Sequence, residues 1–120
     1  MNWEEIYEKL EKKLAAECRR QGNRIPYIVK NGSYNNMVEE NPFWWTNGFW
    51  AGMLWQMYHA GKNPVFRECA EQSEEVMAKA LEGFTGLHHD VGFQFLLTSA
   101  ANYRLTGNER ARIQALHAAT

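Results

Sequence analysis

Hydrophobic residues recur along this chain in helix-length blocks of two kinds. From about Trp3 to Arg20, Trp3, Ile6, Leu10 and Leu14 repeat at helical spacing and predict an inward apolar stripe, with Glu4, Glu8, Glu11, Lys12 and Lys13 opposite. Asn2 and Glu5 are placed to close a capping box at its start. A second helix, about Asn47 to Ala60, is apolar on every side. The third starts with Asn63 as cap and Pro64 at its first position. It carries Phe66, Cys69, Ala70, Ser73, Met77 and Ala80 on one face, and Glu68, Glu71, Glu75 and Lys79 on the other. A fourth, about Gly92 to Leu105, has no charge before Arg104, and a fifth follows Asn108 with Ile113 and Leu116 inward. Between the first two helices, Pro26, Asn31-Gly32 and Asn35-Asn36 predict a long ordered loop with a short hairpin around Ile28–Tyr34.

The order of these blocks predicts the architecture. A helix that is apolar all round needs neighbours on every side, whereas an amphipathic helix forms an outer layer. The order is therefore outer, inner, outer, inner, outer. An internal repeat supports it: Asn47-Gly48-Phe49 opens the second helix and Val91-Gly92-Phe93 the fourth, at an offset of 44 residues. Gly61 and Gly107 close these two helices, and Asn63 and Asn108 start the ones that follow. The fold class expected is all-α, in a two-layer helical ring or solenoid.

Composition narrows the classes of function. Hydrophobic residues are 45% and charged residues 22% of 120, so a packed core is expected and disorder is not. A net charge of −1 without a basic stretch argues against nucleic acid as a partner. Phe43 to Gly61 lacks Asp, Glu, Lys and Arg, but Asn47, Gln56, His59 and the absence of flanking basic clusters argue for a buried helix over a membrane span. Cys18 and Cys69 have no metal-type spacing and read as reduced thiols, which places the chain in the cytoplasm.

One carboxylate stands apart. Asp90 is the only aspartate beside thirteen glutamates, and lies in His88-His89-Asp90-Val91-Gly92-Phe93 at the mouth of the uncharged fourth helix. It is either a helix N-cap or a carboxylate facing a pocket. Two adjacent histidines without a distant ligand are weak grounds for a metal site, and none is expected. The repeat aligns Trp45 with His89 and Thr46 with Asp90, so both clusters should lie at one end of the ring. Helix N-termini there suit an anionic ligand, and exposed aromatic faces suit sugar rings.

These residues carry a resemblance. Trp45-Thr46-Asn47-Gly48-Phe49-Trp50-x-Gly52-x-Leu54-Trp55-x-x-Tyr58, with His88-His89-Asp90-x-Gly92-Phe93, resembles the unsaturated glucuronyl hydrolases of glycoside hydrolase family 88. The resemblance implies an (α/α)6 six-hairpin barrel of twelve helices, of which about five would lie in residues 1–120, the N-terminal portion of a single catalytic domain. It implies hydration of the enol ether of a 4,5-unsaturated uronic acid in lyase-generated glycosaminoglycan-type disaccharides. A proton adds at C4 and water at C5, and the hemiketal then opens and releases the neighbouring sugar. No cofactor or metal is implied. Asp90 matches the first of two essential aspartates, and Trp45 and His89 match positions that contact substrate. The second aspartate lies in a later helix pair, so these residues alone are expected to be inactive and, with the ring open, to self-associate. The related unsaturated rhamnogalacturonyl hydrolases, and a non-enzymatic helical interaction module, are the alternatives.

Overall fold

The computed structural model describes residues 1–83 and 85–120. Its elements are α1 (Trp3–Gln21), β1 (Val29–Lys30), β2 (Ser33–Tyr34), α2 (Met37–Glu40), α3 (Asn47–Gly61), α4 (Pro64–Gly83), α5 (Val91–Phe95), α6 (Ser99–Thr106) and α7 (Glu109–Ala119). The predicted alternation holds. α1 packs on α4, α3 packs on α4, α5 and α6, and α7 packs on α5 and α6. The helices form a slab of 46 × 38 × 20 Å, whose thin dimension is that of two helix layers.

Local chemistry sets the helix starts. The Asn2–Glu5 capping box closes with hydrogen bonds of 2.9 and 3.2 Å. Asn63 Oδ1 accepts from the Val65 N–H, and Asn108 Oδ1 accepts from the Ala111 N–H, both at 3.1 Å. The hairpin forms, antiparallel with Val29 opposite Tyr34, and turns through Asn31 and Gly32 at φ 52° and 80°. The loop around it is tied down by asparagines. Buried Asn35 accepts from the Tyr27 and Ile28 N–H groups at 3.0 and 2.8 Å, and Asn36 accepts from those of Ile25 and Val38 at 3.2 and 3.1 Å. This carries Ile25 and Met37 into a core with Met77, Leu81 and Phe95. The larger core joins Ala15 and Cys18 of α1, Trp50, Leu54 and Trp55 of α3, and Phe66, Cys69 and Ala70 of α4. Both cysteines are free and buried.

Four expectations change. The stripe of α1 is rotated: Trp3 is 72% exposed and Ile6 and Leu10 also face outward, while Ala15 and Cys18 are buried and Tyr7 and Leu14 pack at the core's edge. Small side chains at the contact let α1 approach its neighbours closely. The fourth helix is two pieces. Thr98 Oγ1 bonds back to the Gln94 carbonyl at 2.7 Å and its backbone leaves helical geometry at φ −109°, ψ −91°, separating α5 from α6. Ile113 and Leu116 are exposed, and α7 buries Ala111 instead. Gly61 is not the left-handed terminator of α3, because Lys62 takes that conformation at φ 58°. A Cβ on Gly61 would collide with the Tyr7 hydroxyl, so this glycine makes room for α1.

The inner helices meet at a glycine. A Cβ on Gly48 would lie 2.6 Å from the carbonyl oxygens of both Phe93 and Gln94, so α3 touches the backbone of α5 there. At Gly92, its counterpart in the repeat, nothing among the described residues lies within 4 Å. Gly48→Ala should therefore destabilise the chain by about 1–3 kcal/mol through overpacking against backbone that cannot yield. Gly92→Ala should be neutral or stabilising by up to about 1 kcal/mol through helix propensity. Chemical denaturation of the two variants checks the contrast, and equal losses would contradict it.

Candidate functional site

The two motifs enter their helices through the same backbone turn. Thr46 has φ −82°, ψ −3° and Asp90 has φ −83°, ψ 6°. The Asn47 N–H donates to the Trp44 carbonyl, and the Val91 N–H to the His88 carbonyl, both at 3.0 Å. The Phe49 and Phe93 N–H groups donate to the carbonyls of Thr46 and Asp90 at 2.9 and 3.0 Å. These four amides are therefore engaged by the turns themselves, which leaves fewer free N–H groups for an anion than the sequence suggests.

The matching turns bring the aromatic residues together. Trp45 meets Phe49 at 5.6 Å between ring centroids and 87° between planes, and meets Phe93 at 5.6 Å and 67°. Phe49 and Phe93 close the triangle at 6.3 Å and 79°. These are edge-to-face contacts, the arrangement that aromatic pairs favour. Trp45 is partly buried, while Phe49 and Phe93 are exposed. Behind them, Trp44 makes an edge contact with Tyr27 at 5.9 Å and packs against the second core. Beside the triangle opens a cleft of about 460 Å³, whose lining includes Lys13, Tyr27, Tyr34, Thr46 and Phe49. That is room for a sugar-sized ligand.

Asp90 sits at the N-cap position of α5, yet its side chain makes no capping hydrogen bond. Its side chain is 30% exposed. His88 Nδ1 lies 3.7 Å from Asp90 Oδ2, and His89 Nε2 lies 3.5 Å from Oδ1. The His89 side chain is 91% exposed and free to meet a ligand. The structure thus places Asp90 and His89 in contact, and joins Trp45 to α5 through Phe93, three residues beyond Asp90. In the sequence Phe49 and Phe93 stand out as motif positions, not as part of an aromatic surface. Their recurrence at the 44-residue offset was the available signal.

Away from this end, Glu74 is a second unusual carboxylate. It is 4% exposed and accepts from Asn102 Nδ2 at 3.1 and 3.2 Å. Burial raises its pKa to about 8; the Glu71 charge adds to this, and Asn102 opposes it. Glu74 lies four residues after Ala70 and three before Met77, at the edge of the buried face of α4, and its partner Asn102 is 28 residues further on.

Comparison with known proteins decides the relationship. No protein-family model matches the chain. It is 35% identical over 106 residues to the unsaturated glucuronyl hydrolase of Bacillus sp. (strain GL1), covering 88% of this chain and 28% of that protein. The crystal structure of that Bacillus enzyme superposes with a TM-score of 0.78 at 31% identity, over 88% of this chain and 28% of the other. Over most of its length the chain is similar to unsaturated glucuronyl hydrolases. The unsaturated glucuronyl hydrolase of Streptococcus agalactiae superposes with a TM-score of 0.83 at 29% identity, over 97% of this chain and 31% of the other. An unsaturated chondroitin disaccharide hydrolase of Streptococcus pneumoniae (strain ATCC BAA-255 / R6) is 34% identical over 76 residues, covering 62% of this chain and 19% of that protein. These structural neighbours are (α/α)6 barrels, so the two layers seen here are an arc of that ring. The chain spans less than a third of the length of the family members it matches. A mutant of the Streptococcus agalactiae enzyme has been crystallised with dGlcA-GalNAc6S. None of the described helices is long and apolar enough to cross a membrane.

Proposed function

We propose that this chain contributes to a hydrolase that releases 4,5-unsaturated uronic acid from glycosaminoglycan-type disaccharides by hydrating the enol ether, the reaction of glycoside hydrolase family 88. The observation that carries this reading is Asp90, a carboxylate at a helix entrance that caps nothing and lies between two histidines. Asp90 is the catalytic carboxylate of this segment, exchanging a proton as C4 is protonated and water adds at C5. Trp45 offers a sugar platform, and the exposed His89 ring contacts the uronide. The substrate named for the Streptococcus agalactiae complex and the names of the chondroitin disaccharide hydrolases support the substrate class.

Residues 1–120 are the N-terminal portion of one barrel domain, a reading supported by the 28% of the Bacillus enzyme they match. A second carboxylate from the rest of such a domain shares the proton transfer, so the 120 residues alone turn over no substrate. The free, buried Cys18 and Cys69 support a cytoplasmic location. Loss of enol-ether absorbance, followed with unsaturated chondroitin and rhamnogalacturonan disaccharides and the complete gene product, tests the function. Activity confined to the rhamnogalacturonan substrate would move the protein to the sister family, and none on either would favour an interaction module.

The open arc also associates with itself. Phe93 and Leu96 on the inner layer and Ile113 and Leu116 on α7 are exposed, and a groove of about 220 Å³ runs beside Gly92 between α5 and α7. An apolar surface of this kind favours self-association in a soluble chain. Sedimentation of the 120-residue chain at micromolar concentration should show dimers or larger species. A single monomeric boundary would contradict this.

A further inference from the structure

The repeat places Trp44 and His88 at the same position of the same turn, two residues before Thr46 and Asp90. In both copies this residue's carbonyl accepts from the first amide of the helix, at 3.0 Å. The side chains differ in what they can do. The Trp44 indole has only an N–H donor, and it is buried. His88 has a ring acceptor, and Nδ1 receives the Asp90 N–H at 3.3 Å. The same ring stands edge-on to His89, 5.7 Å between centroids and 62° between planes. An imidazole nitrogen that accepts a hydrogen bond does so through its ring lone pair. The same nitrogen of His88 lies 3.7 Å from Asp90 Oδ2.

We propose that His88 is a positioning residue that acts through Asp90: its Nδ1 holds the Asp90 amide, fixes the direction of the uncapped carboxylate, and backs the His89 ring. This rests on the reading of Asp90 as catalytic. The Asp90 side chain makes no cap bond that would fix it from α5, so the amide contact adds a side-chain restraint to the backbone hydrogen bonds of the turn. A small rotation there displaces the carboxylate from reacting atoms, and such displacement acts on turnover more than on substrate affinity.

Two substitutions separate the acceptor from the ring. His88→Phe keeps an aromatic edge for His89 and removes the acceptor. His88→Asn keeps an acceptor in place of Nδ1 and removes the ring. In the complete gene product, His88→Phe should lower kcat about tenfold with KM within twofold, the scale of one lost hydrogen bond. His88→Asn should restore kcat to within about threefold of the parent. Melting temperatures of both should stay near the parent value, since His88 is exposed. Equal losses in both variants, or a loss seen in melting temperature alone, would overturn the assignment. Asp90→Asn measured in parallel separates the two failures. If it is inactive while His88→Phe is normal, positioning fails alone; if it is fully active, the reading of the site fails with it. Should His88→Phe not fold, nitrogen-15 NMR of the 120-residue chain decides. A hydrogen-bond coupling between the Asp90 amide and His88 Nδ1 is expected, and its absence would contradict the proposal.

Discussion

An Asp90→Asn variant of the complete gene product should lose about 10²–10⁴-fold in kcat, the range for removing a catalytic acid or base, while its melting temperature stays within a few degrees. Asparagine keeps the size of the side chain and changes only its ability to carry a proton and a negative charge. Asparagine caps a helix as well as aspartate does, and here the Asp90 side chain caps no amide; its near contacts are His88 and His89 at 3.7 and 3.5 Å. A drop in turnover therefore reports on chemistry. Steady-state kinetics with unsaturated chondroitin disaccharide, alongside thermal unfolding, is the measurement. Near-parental kcat in a variant that melts early would make Asp90 a structural residue.

The second large effect concerns pH and stability. In the folded chain burial raises the Glu74 carboxyl to about 8, from an ordinary value of 4.5. Between those values the folded state keeps a proton that the unfolded chain releases. Stability from this group is thus full below about 4.5, falls as pH rises, and is lost above about 8. The ceiling is about 4–5 kcal/mol. Asn102 supplies both short contacts to the carboxyl, and its own oxygen accepts from Thr106 Oγ1 at 2.7 Å, so its amide is fixed as a donor. Glu71 and Glu75 of α4 and Arg110 of α7 line the small cavity beside it. Glu74→Gln has no such proton to lose. Urea denaturation should show similar stability for parent and variant near pH 5, and a variant more stable by about 3 kcal/mol near pH 9. Parallel pH curves would mean that Glu74 is solvated in the folded chain.

How far the sequence was legible depends on the range of the forces involved. The capping box at Asn2, the caps at Asn63 and Asn108, and the turn at Asn31-Gly32 are set within four residues, and all form as read. The repeat survives because Gly48 and the two Phe positions recur in matching turns. What escaped depends on contacts distant in sequence. The α1 face is chosen by its fit against α3 and α4, which favours Ala15 and Cys18 over the larger Trp3 and Ile6. The break at Thr98 comes from a hydroxyl competing for a helical carbonyl, invisible in an apolar run. α2 went unread because four residues have no periodicity. At the site, Trp45 and Asp90 were legible as motif positions, whereas the triangle with Phe49 and Phe93 required two helices to be laid side by side. Glu74 stands at the edge of the buried face of α4, beside Ala70 and Met77, and its partner Asn102 is 28 residues away.

The empty space at Gly92 has a thermodynamic consequence. Within this chain each inner helix is stabilised by its own hairpin and by a coupling to the next one, and the Gly48 contact with the α5 backbone is one such coupling. Two inner helices in a row share one coupling; closing them into a ring adds a further one for each join. Stability in such an array grows with the number of joins faster than with the number of residues. The second hairpin, bordered by the unfilled Gly92 surface, should be the first part of the arc to open. Hydrogen exchange would then be faster in α5, α6 and α7 than in α3 and α4, and would slow when any helix seats beside Gly92.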